Sequence, residues 1–104
     1  MFKILVVEDD PIIANTIVDA LKQWQYQAMA TVDFHDVLGV FTEYEPHLVL
    51  LDISLPYFNG FHWCAQIRQR SKVPIVFISS AADNMNMVMA MNMGGDDLDR
   101  KSVV

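Results

Sequence analysis

Basic residues are scarce in this chain of 104 residues: seven lysines and arginines stand against thirteen aspartates and glutamates, for a net charge of -6 at pH 7. Gripping a phosphate backbone takes clustered Lys and Arg, and here they are scattered, which argues against nucleic-acid binding by this domain itself. One cysteine, Cys64, permits no internal disulfide and fits a reducing compartment. No apolar run approaches the roughly 20 residues that span a bilayer, and Met1-Phe2-Lys3 leads straight into a strand pattern rather than a signal peptide. The expected setting is cytoplasmic, with no membrane partner. Also missing are an internal repeat, a low-complexity tract, a linker and a Gly-rich phosphate loop, so nothing points to a bound nucleotide. The length fits one domain over residues 1–104, and 53% hydrophobic against 19% charged residues describes a packed rather than a disordered chain.

What the sequence does have is acid placed at the ends of apolar runs. Ile4-Leu5-Val6-Val7 reads as a strand buried on both faces, and Glu8-Asp9-Asp10 follow at once. Leu48-Val49-Leu50-Leu51 repeats the pattern and delivers Asp52. Pro74-Ile75-Val76-Phe77-Ile78 is a third such strand, and it stops at the hydroxyls of Ser79-Ser80. Between these runs lie helical patterns. Asp10 can cap a helix with Pro11 in its first position, and Ile13, Ile17, Leu21 and Trp24 recur at the spacing of one buried face. Tyr26–Ala30 is a weaker strand. Asp33 is the expected cap of a second helix carrying Val37, Phe41 and Tyr44 inward and ending at Pro46. Ser54–Gly60 is turn-rich and leads to a helix with Trp63, Cys64 and Ile67 on one side. From Asn84 to Met93 polar and apolar residues alternate as in a strand, yet length, a possible Asp83 cap and the Gly94-Gly95 stop favour a helix with Met85, Met89 and Met93 on one face. The last ten residues make a poor fifth strand.

Strands alternating with helices predict a parallel sheet covered on both faces, with ligands bound beyond the carboxyl ends of the strands. Glu8, Asp9, Asp52 and Ser79 all fall at such ends. If the first and third strands are neighbours, their tips lie about 4.8 Å apart, and one small hard cation can bridge Asp9 and Asp52. Two unit charges about 4 Å apart repel by roughly 4 kcal/mol at an effective dielectric near 20, so the cluster calls for a cation, a proton or open solvent. Magnesium suits it, because it takes one or two carboxylates and completes its octahedron with water and phosphate oxygen.

These residues, with Leu55-Pro56, Asn59-Gly60, Gly94-Gly95-Asp96-Asp97 and Lys101, resemble the receiver domain of bacterial two-component response regulators, and the likeness runs from about Lys3 to Lys101. The resemblance implies a flavodoxin-like, doubly wound α/β sheet of order 2-1-3-4-5 with helices on both faces. It implies that Asp52 accepts a phosphoryl group from a sensor histidine kinase and so controls an output domain or partner, with transcription the expected output. It further implies Mg2+ held by Asp9, Asp52 and the backbone carbonyl of Ser54, with Glu8 acting through water. Ser79 would hydrogen-bond one phosphoryl oxygen and Lys101 would pair with another. Such a domain is a switch, not an enzyme.

The sequence departs from the family pattern near its end. Receivers usually continue past the lysine with proline and a last helix, whereas here Ser102-Val103-Val104 follow Lys101, so the final helix is expected to be missing and the domain shortened or atypical there. A second copy of the chain could cover the exposed face, which makes a homodimer an expectation. Leu98 stands where many relatives carry an aromatic, and Asp99 where a buried apolar residue is expected. Two other functions compete with the switch: an interaction module that signals without phosphate, and an aspartyl-phosphate phosphotransferase or phosphatase. Against the latter, no second acid stands two residues beyond Asp52. His35, His47 and His62 lack metal-ligand spacing and read as surface residues, Cys64 as buried and inert, and Trp24 and Trp63 as core aromatics.

Overall fold

In the computed structural model of the protein, which describes residues 1–78, four parallel strands alternate with three helices. The strands are β1 (Lys3–Val7), β2 (Gln27–Ala30), β3 (Leu48–Asp52) and β4 (Ile75–Ile78), in the order β2-β1-β3-β4. This is the expected order as far as the described residues go. The expected fifth strand, the Asn84–Met93 helix and the tail beyond Lys101 lie outside them. Each apolar run forms its strand for the reason its pattern suggests: Ile4, Leu5, Val6 and Val7 are all buried, because β1 has a strand on either edge and helices over both faces.

The helices are α1 (Pro11–Gln23), α2 (Val37–Tyr44) and α3 (Gly60–Arg68). α1 lies on one face, where Val18, Ile17 and Leu21 meet Ile4, Val6, Leu48 and Leu50. α2 and α3 cover the other, where Val37, Phe41, Trp63, Cys64 and Ile67 close over Leu5, Val7, Val49, Leu51 and Phe77. The right-handed crossovers of parallel strands account for this two-sided layering. No helix among the described residues is long and apolar enough to cross a membrane.

Three local expectations change. On α1, Ile17 and Leu21 pack inward as expected, but the stripe is completed by buried Ala14 and Val18 rather than by Ile13, which is 47% exposed. Trp24, expected in the core, is 77% exposed. It is the C-cap residue, with its N–H already turned to the Ala20 and Leu21 carbonyls, and Gln25 at φ 69° then sends the chain into β2. A side chain at that exit no longer follows the helical spiral. The second helix starts three residues later than predicted: Asp36 is its cap, accepting from the Gly39 N–H at 2.9 Å, while Asp33 accepts from the His35 N–H at 3.0 Å in the loop before it. Pro46 does end α2. Glu45 before it takes a left-handed conformation at φ 52°, consistent with the bar that proline places on a helical predecessor. Trp63 and Cys64 are buried as expected.

Candidate functional site: an acidic pocket at the strand tips

Register builds the site. β1 and β3 pair in parallel with Val7 opposite Leu51, so the next residues along, Glu8 and Asp52, emerge side by side at the carboxyl edge of the sheet. Asp9 follows in the turn to α1. The carboxylates of Glu8, Asp9 and Asp52 each offer an oxygen within 4.8 Å of the others. Glu8 and Asp52 are buried, each with 8% of its surface exposed, and Asp9 is open to solvent. Asp10 stands apart from the group as the cap of α1, accepting from the Ile12 N–H at 2.9 Å with Pro11 in the first helical turn. Two of these acids are therefore buried, one is exposed, and one serves the helix.

Backbone amides hold this arrangement. The Ser54 N–H donates to Asp52 Oδ1 at 3.2 Å, and the Asp10 N–H donates to Glu8 Oε1 at the same distance. Behind Asp52, the first residue of α3 comes so close that a Cβ on Gly60 would stand 2.3 Å from the Asp52 carbonyl oxygen. Only glycine lets the helix begin there, with its N–H donating to the Ile53 carbonyl at 2.9 Å. Asn59 caps the helix by accepting from the His62 N–H at 3.0 Å.

The electrostatics follow from burial. Glu8 is pushed up to about 7, chiefly because burial penalises its charged form and because it shares a hydrogen bond with Asp52. The Asp10 N–H works in the opposite direction, and the negative charges of Asp52 and Asp9 add to the upward push. Without a cation, Glu8 therefore keeps its proton up to near-neutral pH. A donor set of three carboxylate oxygens, two walled in and one open to water, has the hard, oxygen-only chemistry of a divalent cation site.

Of the site residues expected from sequence, Glu8, Asp9 and Asp52 are brought together, and Ser54 lies at the start of the adjoining loop. Ser79 and Lys101 lie outside the described residues. None of His35, His47 and His62 enters the acidic group, and His35 and His47 are exposed as expected. Sequence reasoning missed the approach of Gly60 to Asp52, for which the Asn59-Gly60 pair was a visible cue, and the contact of His35 with Tyr57 across 22 residues of sequence, for which there was none.

Comparison with known proteins agrees with this geometry. The family profile "Response regulator receiver domain" matches residues 4–103. The chain is 46% identical to the sensory transduction protein BceR of Halalkalibacterium halodurans over 97% of its own length and 44% of that protein's. With the response regulator protein GraR of Staphylococcus epidermidis it shares 40% identity over 95% of its length and 44% of GraR. Among solved structures, the N-terminal domain of the nisin resistance regulator NsrR superposes with a TM-score of 0.83 at 47% identity, covering 92% of this chain and 81% of that one. The chain thus spans less than half the length of the curated relatives it matches. A parallel sheet of order 2-1-3-4 with an acid cluster at its carboxyl edge, a profile match over nearly all residues and relatives at these identities lead to one conclusion: the chain belongs to the response regulator receiver domain family, a non-catalytic regulatory module of two-component systems.

Proposed function

We propose that this receiver is a phosphoacceptor switch in which Asp52 is the acceptor and Mg2+ is the resident cation, held by Asp9, Asp52 and the Ser54 carbonyl, with Glu8 acting through water. The observation that carries the reading is the convergence of three carboxylates from two neighbouring strand tips within 4.8 Å. When bound, the cation supplies charge neutralisation that lets one anion approach another. The protein's own residues do the rest. Asp52 is aimed by the Ser54 N–H, and one of its carboxylate oxygens forms the new O–P bond while the donor's bond to phosphorus breaks. Because Asp52 is buried, the incoming phosphoryl group adds about one to two negative charges where solvent screens them poorly. Ser79 and Lys101, by their places in the sequence, are the proposed partners of the new oxygens.

The donor in the cell would be the phosphohistidine of a sensor kinase, and the domain would work in the cytoplasm. The relatives' names support a transcriptional output: one, YvcP of Bacillus subtilis, is an uncharacterized transcriptional regulatory protein that shares 47% identity over 93% of this chain. Acetyl phosphate tests the chemistry directly. Incubated with it and Mg2+, the protein should gain the mass of one phosphoryl group, Asp52→Asn should gain none, and Asp9→Asn should require far more Mg2+. No mass gain in the parent protein refutes the switch and leaves an interaction module that works without phosphate. Steady release of phosphate from varied esters would make it an enzyme instead.

A further inference from the structure

The loop between β3 and α3 is fastened at its base and leans on a neighbour at its tip. At the base the Gly60 N–H meets the Ile53 carbonyl, and the Ser54 N–H meets Asp52. At the tip the Phe58 N–H donates to the Pro56 carbonyl at 2.8 Å, which makes Tyr57 the centre of a three-residue turn, and Tyr57 has φ 69°. A turn of this kind with positive central φ is the rare, strained form. Glycine would take that conformation with little strain, yet the chain carries tyrosine. Its ring stacks on the imidazole of His35, with centroids 3.6 Å apart and 28° between the planes. His35 is in turn held by Asp33, whose Oδ1 accepts from the His35 N–H at 3.0 Å and lies 3.9 Å from the ring Nδ1. Both side chains are about two-thirds exposed, at 66% for Tyr57 and 67% for His35, so the contact buries little and adds little to the core.

We propose that His35 and Tyr57 form a clamp that sets the position of the β3–α3 loop beside Asp52, and that both are positioning residues for phosphoryl uptake there. The inference rests on the phosphoacceptor reading above. A strained turn kept in place by a surface stack makes sense where placement matters more than burial, and this loop carries the Ser54 amide and carbonyl next to the acceptor. Pro56, with its fixed φ, stiffens the short path from Tyr57 back to Ser54. Phe58 braces the far side by stacking on His62 at 4.3 Å and meeting the edge of Trp63, so loss of the clamp frees the tip without unseating α3.

The test compares His35→Ala, Tyr57→Gly and His35→Phe with the parent chain. Three quantities are read: the rate of acetyl phosphate uptake against donor and Mg2+ concentration, hydrogen exchange of the Phe58 amide, and thermal stability. Losing one aromatic stack should slow uptake about twofold to tenfold in His35→Ala and Tyr57→Gly and speed Phe58 exchange by a similar factor. The loss should appear as a higher Mg2+ requirement or a slower saturated rate rather than a lower melting temperature. Tyr57→Gly should melt no lower than the parent because its turn is relaxed, and His35→Phe, which keeps a flat ring, should restore most of the rate. Parental uptake and parental Phe58 exchange in both His35→Ala and Tyr57→Gly would overturn the clamp. If the parent chain itself takes up no phosphate, the phosphoacceptor reading fails, whereas Phe58 exchange still decides whether the stack holds the loop.

Discussion

Glu8 should make the stability of the cation-free domain fall as pH rises through the neutral range. Its carboxyl ionises near 4.5 in an unfolded chain and near 7 in the folded one, so between those values the native state holds the extra proton. A group whose folded pKa is raised favours the fold fully below the unfolded value, and that advantage disappears as pH climbs through the folded value. At about 1.4 kcal/mol per pH unit the full shift corresponds to about 3 kcal/mol, and water reaching the pocket past exposed Asp9 brings a realistic figure nearer 2 kcal/mol. For a domain of this size that is on the order of 10 °C in melting temperature. Thermal melts in chelator should therefore decline from pH 5 to pH 8, most steeply around 5 to 6.5. Millimolar Mg2+ should flatten the decline, since a cation favours the ionised pocket and adds about 2.7 kcal/mol when present at a hundred times its dissociation constant. Glu8→Gln, which keeps the shape and the hydrogen bond to Asp52 but cannot ionise, should remove this slope, staying close to the parent near pH 4.5 and becoming more stable than it by pH 8. An unchanged slope in Glu8→Gln, or a flat profile in the parent, would refute the claim that Glu8 keeps its proton to near-neutral pH in the folded domain.

Further expectations concern the frame that holds the pocket. Gly60→Ala should cost about 2 kcal/mol or more in chemical denaturation, because its Cβ would press on the Asp52 carbonyl oxygen, and it should weaken Mg2+ binding by pushing α3 away from the strand end. The two tryptophans should behave oppositely: Trp63→Ala should lose about 3 to 5 kcal/mol, whereas Trp24→Ala should stay within about 0.5 kcal/mol of the parent, as read from urea midpoints. Asp36→Ala should cost about 1 kcal/mol through the lost cap of α2, and Asp33→Ala should leave that cap intact.

Strands were the most legible part of the sequence, because four-residue apolar runs bounded by acids, turns or proline leave little choice of period. Even the chemistry followed from them, since a parallel pairing in which Val7 meets Leu51 must carry Glu8 and Asp52 to the same edge. Helix detail was less legible. On α1 the stripe through Ile17 and Leu21 can be completed by Ile13 and Trp24 or by Ala14 and Val18, and in the fold it is the second pair that is buried. For α2 the sequence points to Asp33, whereas Asp36 is the cap in the fold. Which of them bonds a helical N–H is fixed by the length of chain needed to bring Val37 and Phe41 over Leu5 and Val7, a tertiary fact that no local pattern contains. The stack of His35 on Tyr57 was invisible for the same reason: it joins two loops that become neighbours only after β2, β1 and β3 have lined up.

Position and cost are linked in this pocket. The register that buries Val7 and Leu51 completely also forces Glu8 and Asp52 into each other's company, so the core cannot keep its pairing and spare the carboxylates. Both faces of β1 are covered, so a slip by one residue would separate the acids only by drawing Glu8 or Lys3 into a buried position now held by Val7 or Ile4. Against an unpartnered charge in that core, the roughly 2 kcal/mol of crowding at Glu8 is the smaller term. The hydrophobic register wins, and the crowding remains as a standing affinity for whatever neutralises it. A proton does so in the absence of a cation, and Mg2+ should displace that proton as it binds. Mg2+ uptake at pH 6.5 should therefore release close to one proton per ion in weakly buffered solution, and almost none in Glu8→Gln.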